Sequence, residues 1–272
     1  MQDEDDIDGG EYWEKKLPEN YQRYIWMSDK PLDYTTKKEL YQIFCDGFLA
    51  DDGKMWFSMC KSTHGICSLL SAIKIIGHRN NYVQDISPFE SRFLIIPHIS
   101  RFKVVKKLNA DYHQYFLFKT RLRSVMFSPQ YTYACYLLFK FRDINASIIL
   151  DNTVVLKAEC WLDNVSIGGM FVYWSRYTLN IPKIKPKNYQ GLHDSSNIPR
   201  VEGIGMTNGQ MEHLGSTRIE ERKDGWMEAM LFKPTNKLQD QENGCLLEIG
   251  LVPIDGNVNG MIIEGIEFRP YI

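Results

Sequence analysis

Apolar and polar positions along the chain fall into two regimes. Between residues 36 and 47 the apolar residues Leu40, Ile43 and Phe44 recur at helical spacing. Thr36-Lys-Lys-Glu39 opens this stretch as a capping box, in which the threonine hydroxyl accepts from the Glu39 amide and that carboxylate reaches back. Gly47 supplies the stop, so the pattern predicts a helix over residues 36–45. An Asp51-Asp-Gly-Lys54 turn then leads into a predicted strand at 55–59. Beyond Glu90 the period shortens and strand follows strand. Residues 115–122 alternate, with Lys119, Arg121 and Arg123 on one side. Residues 131–141 are almost wholly apolar or aromatic, the mark of a strand buried on both faces. Further strands are predicted at 153–162, 170–179, 226–232, 245–253 and 261–268, separated by turn residues such as Asp224-Gly225 and Asp255-Gly-Asn257. Many short strands with few helices predict a mainly β fold, a sandwich or barrel.

The flanks divide the rest. Residues 1–10 are acidic and Gly-ended, a leader expected to lack structure. Trp13, Tyr21, Tyr24 and Trp26 follow at uneven spacing and suit a short packed arm. The expected organisation is a leader and arm at 1–33, a small α/β preface at 34–86, and a β-sandwich at 87–272. Residues 182–215 break the pattern, being rich in Gly, Asn, Ser, His and Pro. A loop of that length inside a compact domain is functional or mobile. Lys183, Lys185 and Lys187 at its start fit a solvated loop better than an anion or import site.

Composition narrows the function. Apolar residues are 44% and charged residues 24% of 272, which is globular rather than disordered. A net charge of −2 calls for neither nucleic acid nor an anionic membrane as partner. No run reaches the roughly 18 apolar residues of a membrane span. The acidic start is not a secretory signal, so a cytosolic or nuclear protein with reduced cysteines is expected. Asn145 and Asn164 open glycosylation sequons that carry no weight there. Cys135 and Cys245 lie in apolar runs and read as buried small hydrophobes. Cys60, His64 and Cys67 are close in sequence, but structural zinc takes four ligands and no second pair is evident. No metal or other cofactor is expected. Hydrolase and kinase motifs are missing: there is no G-x-S-x-G elbow, no H-E-x-x-H pair, no H-R-D loop and no D-F-G triplet. His98 and His113 read as structural residues, His193 and His213 as exposed ones. The chain is not read as an enzyme. Aromatics make up 13%, including 15 tyrosines, which serve both strands and binding surfaces.

Short blocks in the last two-thirds resemble the phloem protein 2 (Nictaba-like) lectin family. They are Ser91-Arg-Phe93, then Ser128-Pro129 with Tyr133-Ala134 and Tyr136-Leu-Leu-Phe-Lys140, then Asp224-Gly-Trp-Met-Glu228 and Gly265-Ile-Glu-Phe-Arg-Pro270. Upstream, Cys67, Leu70, Ser71 and Ala72 resemble the family's K-C-Y-M-L-S-A opening. Their order, ending at the C-terminus, is the specific part of the signal. The stretch from Tyr34 through Trp56-Phe57-Ser58 is similar to a preface in composite-plant relatives, where the module often follows a kinase domain. Some relatives carry an F-box-like leader, which is not recognisable here.

The resemblance implies a plant protein with a jelly-roll β-sandwich that binds N-acetylglucosamine oligomers or N-glycan cores, in a stress or defence setting. Protein partners and a homodimer are compatible with it. In such shallow sites an aromatic ring stacks on the sugar and carboxylates accept hydroxyl hydrogen bonds. Two family tryptophans tied to sugar binding fall on Ile76 and Val83, leaving Tyr82 as the neighbouring aromatic. Losing both rings would forfeit about 1–3 kcal/mol, or about 5- to 150-fold in affinity. Two acidic family positions fall on Gln241, with Glu242 beside it, and on Glu248. Glu248 alternates with apolar neighbours, which favours an outward, solvated carboxylate over ligand contact. Trp226, after its tight turn, is a further sugar-platform candidate, with a core or rim anchor the favoured reading. The carbohydrate-binding candidates are therefore Tyr82, Trp226, Glu242 and Glu248. Trp161 and Trp174 lie outside the matched blocks, so a surface role for either would be chemistry particular to this chain. The rival reading is a protein-interaction or adaptor module on the same sandwich with the sugar site lost.

Overall fold

A capped helix and three strands lead into a much larger β structure. The computed structural model describes residues 6–76, 83–86, 100–108, 116–141, 154–174, 215–235, 244–255, 258 and 260–271. Helices α1 (Asp6–Glu14), α2 (Tyr21–Met27) and α3 (Lys37–Asp46) precede β1 (Phe48–Ala50), β2 (Met55–Met59) and β3 (Ile66–Ser71). A one-turn helix α4 (Ala72–Ile75) follows, then β4 (Val83–Ile86), β5 (Val105–Leu108) and β6 (Phe116–Leu122). The remaining strands are β7 (Thr132–Phe141), β8 (Val154–Leu162), β9 (Val165–Trp174), β10 (Gly215–Arg218), β11 (Glu220–Glu221), β12 (Met227–Thr235), β13 (Cys245–Asp255) and β14 (Met261–Tyr271).

The capping box forms as the sequence predicts. Thr36 Oγ1 accepts from the Glu39 amide at 3.2 Å, and Glu39 accepts from the amides of Thr35 and Thr36. The helix ends at Gly47, whose φ of +83° lies in the left-handed region. Leu40 and Phe44 on its inner face are fully buried, with Phe44 edge-on to Tyr24 and Phe48. At the N-terminus the expectation of an unstructured leader is corrected for residues 6–10, where helix α1 begins at Asp6; residues 1–5 lie outside the described residues.

Two sheets result. The larger runs β1-β2-β3-β14-β7-β12-β11, with β5 also paired to β14 and β4 to β5. The smaller runs β10-β9-β8-β13-β6. Every pair is antiparallel except β10 with β9. Strands β1 to β3 enter the larger sheet through β3, where Gly265 pairs with Ser71 and Phe268 with Ser68. Alternate residues of both sheets meet in one core. Tyr133, Leu137, Phe139, Ile266 and Phe268 come from the larger sheet, and Phe118, Ala158, Cys160, Leu247 and Ile249 from the smaller. Each such Leu, Ile or Phe gains about 1.5–3 kcal/mol on burial. The molecule is a β-sandwich. Cys135 and Cys245 are buried in this core.

Strand β9 begins five residues earlier than its predicted start. Asp163 and Asn164 both take left-handed φ values, +47° and +66°, and close a two-residue hairpin from β8. The first residues of β9 lack alternation because the register shifts between the Cys160 and Trp161 pairs.

Candidate binding surface

The outer face of the smaller sheet is organised in rows across its strands. On β8, Leu156, Ala158, Cys160 and Leu162 point into the core, so Lys157, Glu159 and Trp161 point out. On β13 the same alternation turns Leu246, Glu248, Gly250 and Val252 outward. Register then aligns them. One row holds Lys119, Glu248, Trp161 and Ser166. The next holds Leu117, Gly250, Glu159 and Gly169, and a third brings Val252, Lys157 and Phe171 together. Two glycines therefore flank Glu159, leaving a shallow step between Trp161 and Phe171. A side chain at Gly169 is also excluded from behind, because a Cβ there would lie 2.1 Å from the Ala158 carbonyl oxygen. Phe171 is 36% exposed and Trp161 is partly exposed. Glu248 is paired with Lys119, and Glu159 with Lys157.

Of the residues singled out from sequence, the two that are described, Glu248 and Trp226, do not converge. Glu248 faces outward as expected, yet it is only 5% exposed, because Lys119 and Trp161 close over it from the neighbouring strands. The fully solvated reading is corrected. Trp226 is fully buried, packed with Val105 and Ile262, and cannot serve as a surface platform in this conformation. The reason is its turn: the Arg222 amide donates to the Trp226 carbonyl at 2.7 Å and the Trp226 amide to Asp224 at 3.2 Å, folding the ring inward. Among the described residues the indole Nε1 meets no hydrogen-bond acceptor. Ile76, at the first tryptophan position, is 2% exposed in the core. Val83 pairs with Leu108 on β4, while Tyr82, Gln241 and Glu242 lie outside the described residues. Ser91-Arg-Phe93, His98, His113, His193, His213 and nearly all of the 182–215 stretch lie outside them as well. Trp161, Glu159 and Phe171 were not selected as site residues. Their signal was the polar alternation Lys157-x-Glu159-x-Trp161 opposite a wholly apolar set.

The recurring blocks instead meet on the outer face of the larger sheet, where they build structure. Arg222 donates to Glu267 at 2.8 Å and to Glu228 at 3.1 Å. Arg269 donates to Glu267 at 2.7 Å and lies 4.3 Å over the Tyr136 ring. Arg101 links Asp224 at 2.9 Å to Glu264 at 3.0 Å. Burial pushes Glu228 up, but Arg269 and Arg222 outweigh it and hold its carboxyl below the usual range. Burial likewise raises Asp224, and Arg222, the Trp226 amide and Arg101 overcome it. Glu264 is different: burial dominates its arginine and lifts it to about 7. Nearby, Ser128 accepts from the Ile66 amide at 3.2 Å, and its own amide donates to the Tyr133 hydroxyl at 2.8 Å. These are pins between strands and loops.

Among the described residues no group of three or more His, Cys, Asp or Glu side chains is placed to hold a metal, and no helix is long and apolar enough to cross a membrane. The sequence profile of Phloem protein 2 matches residues 75–270. Similar Arabidopsis thaliana proteins include F-box protein SKIP3, 34% identical over 268 residues, covering 95% of this chain and 74% of that one. F-box protein PP2-B5 is 28% identical (95% and 72% covered), and F-box protein VBF is 28% identical (95% and 85% covered). The profile spans the sandwich strands that carry the Asp224–Glu228 and Gly265–Pro270 pins, and with it the chain belongs to the phloem protein 2 family.

Proposed function

We propose that the chain is a non-catalytic, lectin-like module of the cytosol or nucleus that binds N-acetylglucosamine oligomers or N-glycan cores on the outer face of the smaller sheet. The observation that supports this reading is the outward, partly exposed Trp161 with Glu159 on the same face of β8, the ring standing beside the covered Lys119–Glu248 pair. Residues two apart on one strand share a face about 6–7 Å apart, so one sugar can stack on the Trp161 ring while its hydroxyls reach the Glu159 carboxylate, whose side chain is 33% exposed. Glu159 and Phe171 extend the same surface across the glycine row. Hydrolysis would need a nucleophile beside a base, or two free facing carboxylates. Here Glu248 and Glu159 are each paired with a lysine rather than free.

Calorimetric titration with chitotriose tests the reading. Trp161→Ala should weaken binding about 2- to 12-fold, the loss of about 0.5–1.5 kcal/mol of ring contact. Unchanged affinity in that variant, or no heat from the native chain at high concentration, would refute it.

A second reading, an adaptor that binds protein, is favoured by one feature: the buried Ile76 where the family has a sugar-contacting tryptophan. The relatives' designation as F-box proteins suits it too. It expects captured partners to survive deglycosylation and competing chitooligosaccharide. Release of those partners by free sugar would exclude it.

A further inference from the structure

The hairpin between β2 and β3 brings two thiols onto one face. Ser58 pairs with Cys67, and the Cys60 amide donates to the Gly65 carbonyl at 2.9 Å, so Cys60 and Cys67 are diagonal neighbours one rung apart. Met59, Ile66 and Leu70 face the core, which sets both cysteines on the outer side. Between them the chain turns tightly: the His64 amide donates to the Cys60 carbonyl at 2.8 Å, and His64 takes a left-handed φ of +59°. That turn folds hydroxyls back onto the first sulfur, with Ser62 Oγ 3.1 Å from Cys60 Sγ. Both thiols are free, Cys60 half-buried and Cys67 buried.

We propose that Cys60 and Cys67 form a peroxide-sensitive thiol pair, with Cys60 the nucleophile and Cys67 the resolving thiol. The geometry supplies three requirements of such a pair: a reachable first sulfur, polar groups around it, and a second sulfur beside it. The Cys67 thiol, then the hydroxyls of Ser62 and Thr63 and the Thr63 amide, outweigh burial and hold the Cys60 thiol well below the usual range. Cys67 is shifted the opposite way, by Cys60 and by burial, and keeps its proton. The two cysteines are thereby given different tasks.

The chemistry balances with hydrogen peroxide as oxidant. The Cys60 thiolate attacks one peroxide oxygen; an S–O bond forms, the O–O bond breaks, and hydroxide leaves to take up a proton as water. Cys67 sulfur then attacks the Cys60 sulfenic acid; an S–S bond forms, the S–O bond breaks, and the departing hydroxide takes the Cys67 proton. Two thiols and one peroxide become a disulfide and two waters. Diagonal neighbours stand about 7–8 Å apart at Cα, and a disulfide accepts up to about 6.8 Å, so the end of the hairpin must close by about 1 Å. Cys60 lies beyond the last residue that β1 pairs on β2, so the closure falls on the turn, whose Thr63 carbonyl accepts from the Tyr131 hydroxyl and must carry that bond with it.

Treating the folded chain with one equivalent of peroxide and digesting it with trypsin tests this. Lys61 lies between the two cysteines, so cleavage there leaves peptides 55–61 and 62–74 joined only through the new bond. That joined pair is the expected product. Cys67→Ser should instead accumulate a dimedone-reactive sulfenic acid at Cys60, and Cys60→Ser should leave Cys67 unmodified. At pH 6 Cys60 should alkylate about tenfold or more faster than Cys45, which is also partly exposed. Equal alkylation rates, a disulfide between chains, or first oxidation at any other cysteine would overturn the proposal.

Discussion

Glu264 is fully buried on β14, with Arg101 as its cationic partner and Asp224 and Glu267 near enough to oppose its charge. Burial lifts it to about 7 from its ordinary 4.5, so the folded chain binds this proton more tightly than the unfolded one. Stability from this residue is therefore complete below about 4.5 and falls as pH rises through 7. Asp224 and Glu228, held low by their arginines, act oppositely; their contribution is present above the ordinary carboxylate range and is lost on acidification. Glu264→Gln should flatten the decline in melting temperature between pH 4.5 and 7 and raise that temperature at pH 8. A pH profile identical to the native one would refute the assignment. Residue roles were only partly legible in sequence. Outward placement of Glu248 followed from alternation, but its cover by Lys119 and Trp161 depends on which strands lie beside β13, and no local pattern encodes that.

Strand and helix periods carried most of the element-scale reading. Helix α3, β2 and β6 to β8 lie within two residues of their predicted bounds, because an amphipathic period or a long apolar run marks each one. Strand β3 escaped because every residue in it is buried, so Ile66-Cys-Ser-Leu-Leu-Ser71 shows no alternation. Helix α1 escaped because its acidic composition resembles a solvated leader. Two substitutions test how elements are held. Thr36→Ala removes the α3 cap and should cost about 1 kcal/mol in chemical denaturation. Gly265→Ala should cost more, about 1–3 kcal/mol or above, since a Cβ there would lie 1.9 Å from the Leu70 carbonyl oxygen and force β3 from β14. A smaller loss at Gly265 than at Thr36 would contradict that packing.

At the scale of the whole molecule, β1 to β3 continue the sheet that β14, β7 and β12 build, and their residues share its core. The chain is therefore expected to unfold in one cooperative transition, with coincident circular dichroism and fluorescence curves. A fragment starting at residue 75, which keeps the matched profile but loses β3, exposes the β14 edge and should melt lower and aggregate. Two separated transitions in the full chain would show that the first strands fold independently. The resemblance read from short blocks reached the family because those blocks are the pins of the larger sheet, near in sequence and rigid in role. It missed the proposed face because Trp161 and Glu159 come beside Glu248 and Gly250 only through pairing of β8 with β13, and Phe171 joins them only through β9.

The proposal that sugar binds on that face is tested most directly by amide chemical-shift mapping during chitotriose titration. The account predicts saturable shifts concentrated at Trp161, Glu159, Glu248, Gly250 and Gly169, the cross-strand rows of the smaller sheet. Shifts confined to the α4–β4 side around Ile76, or no shifts at millimolar sugar, would contradict it.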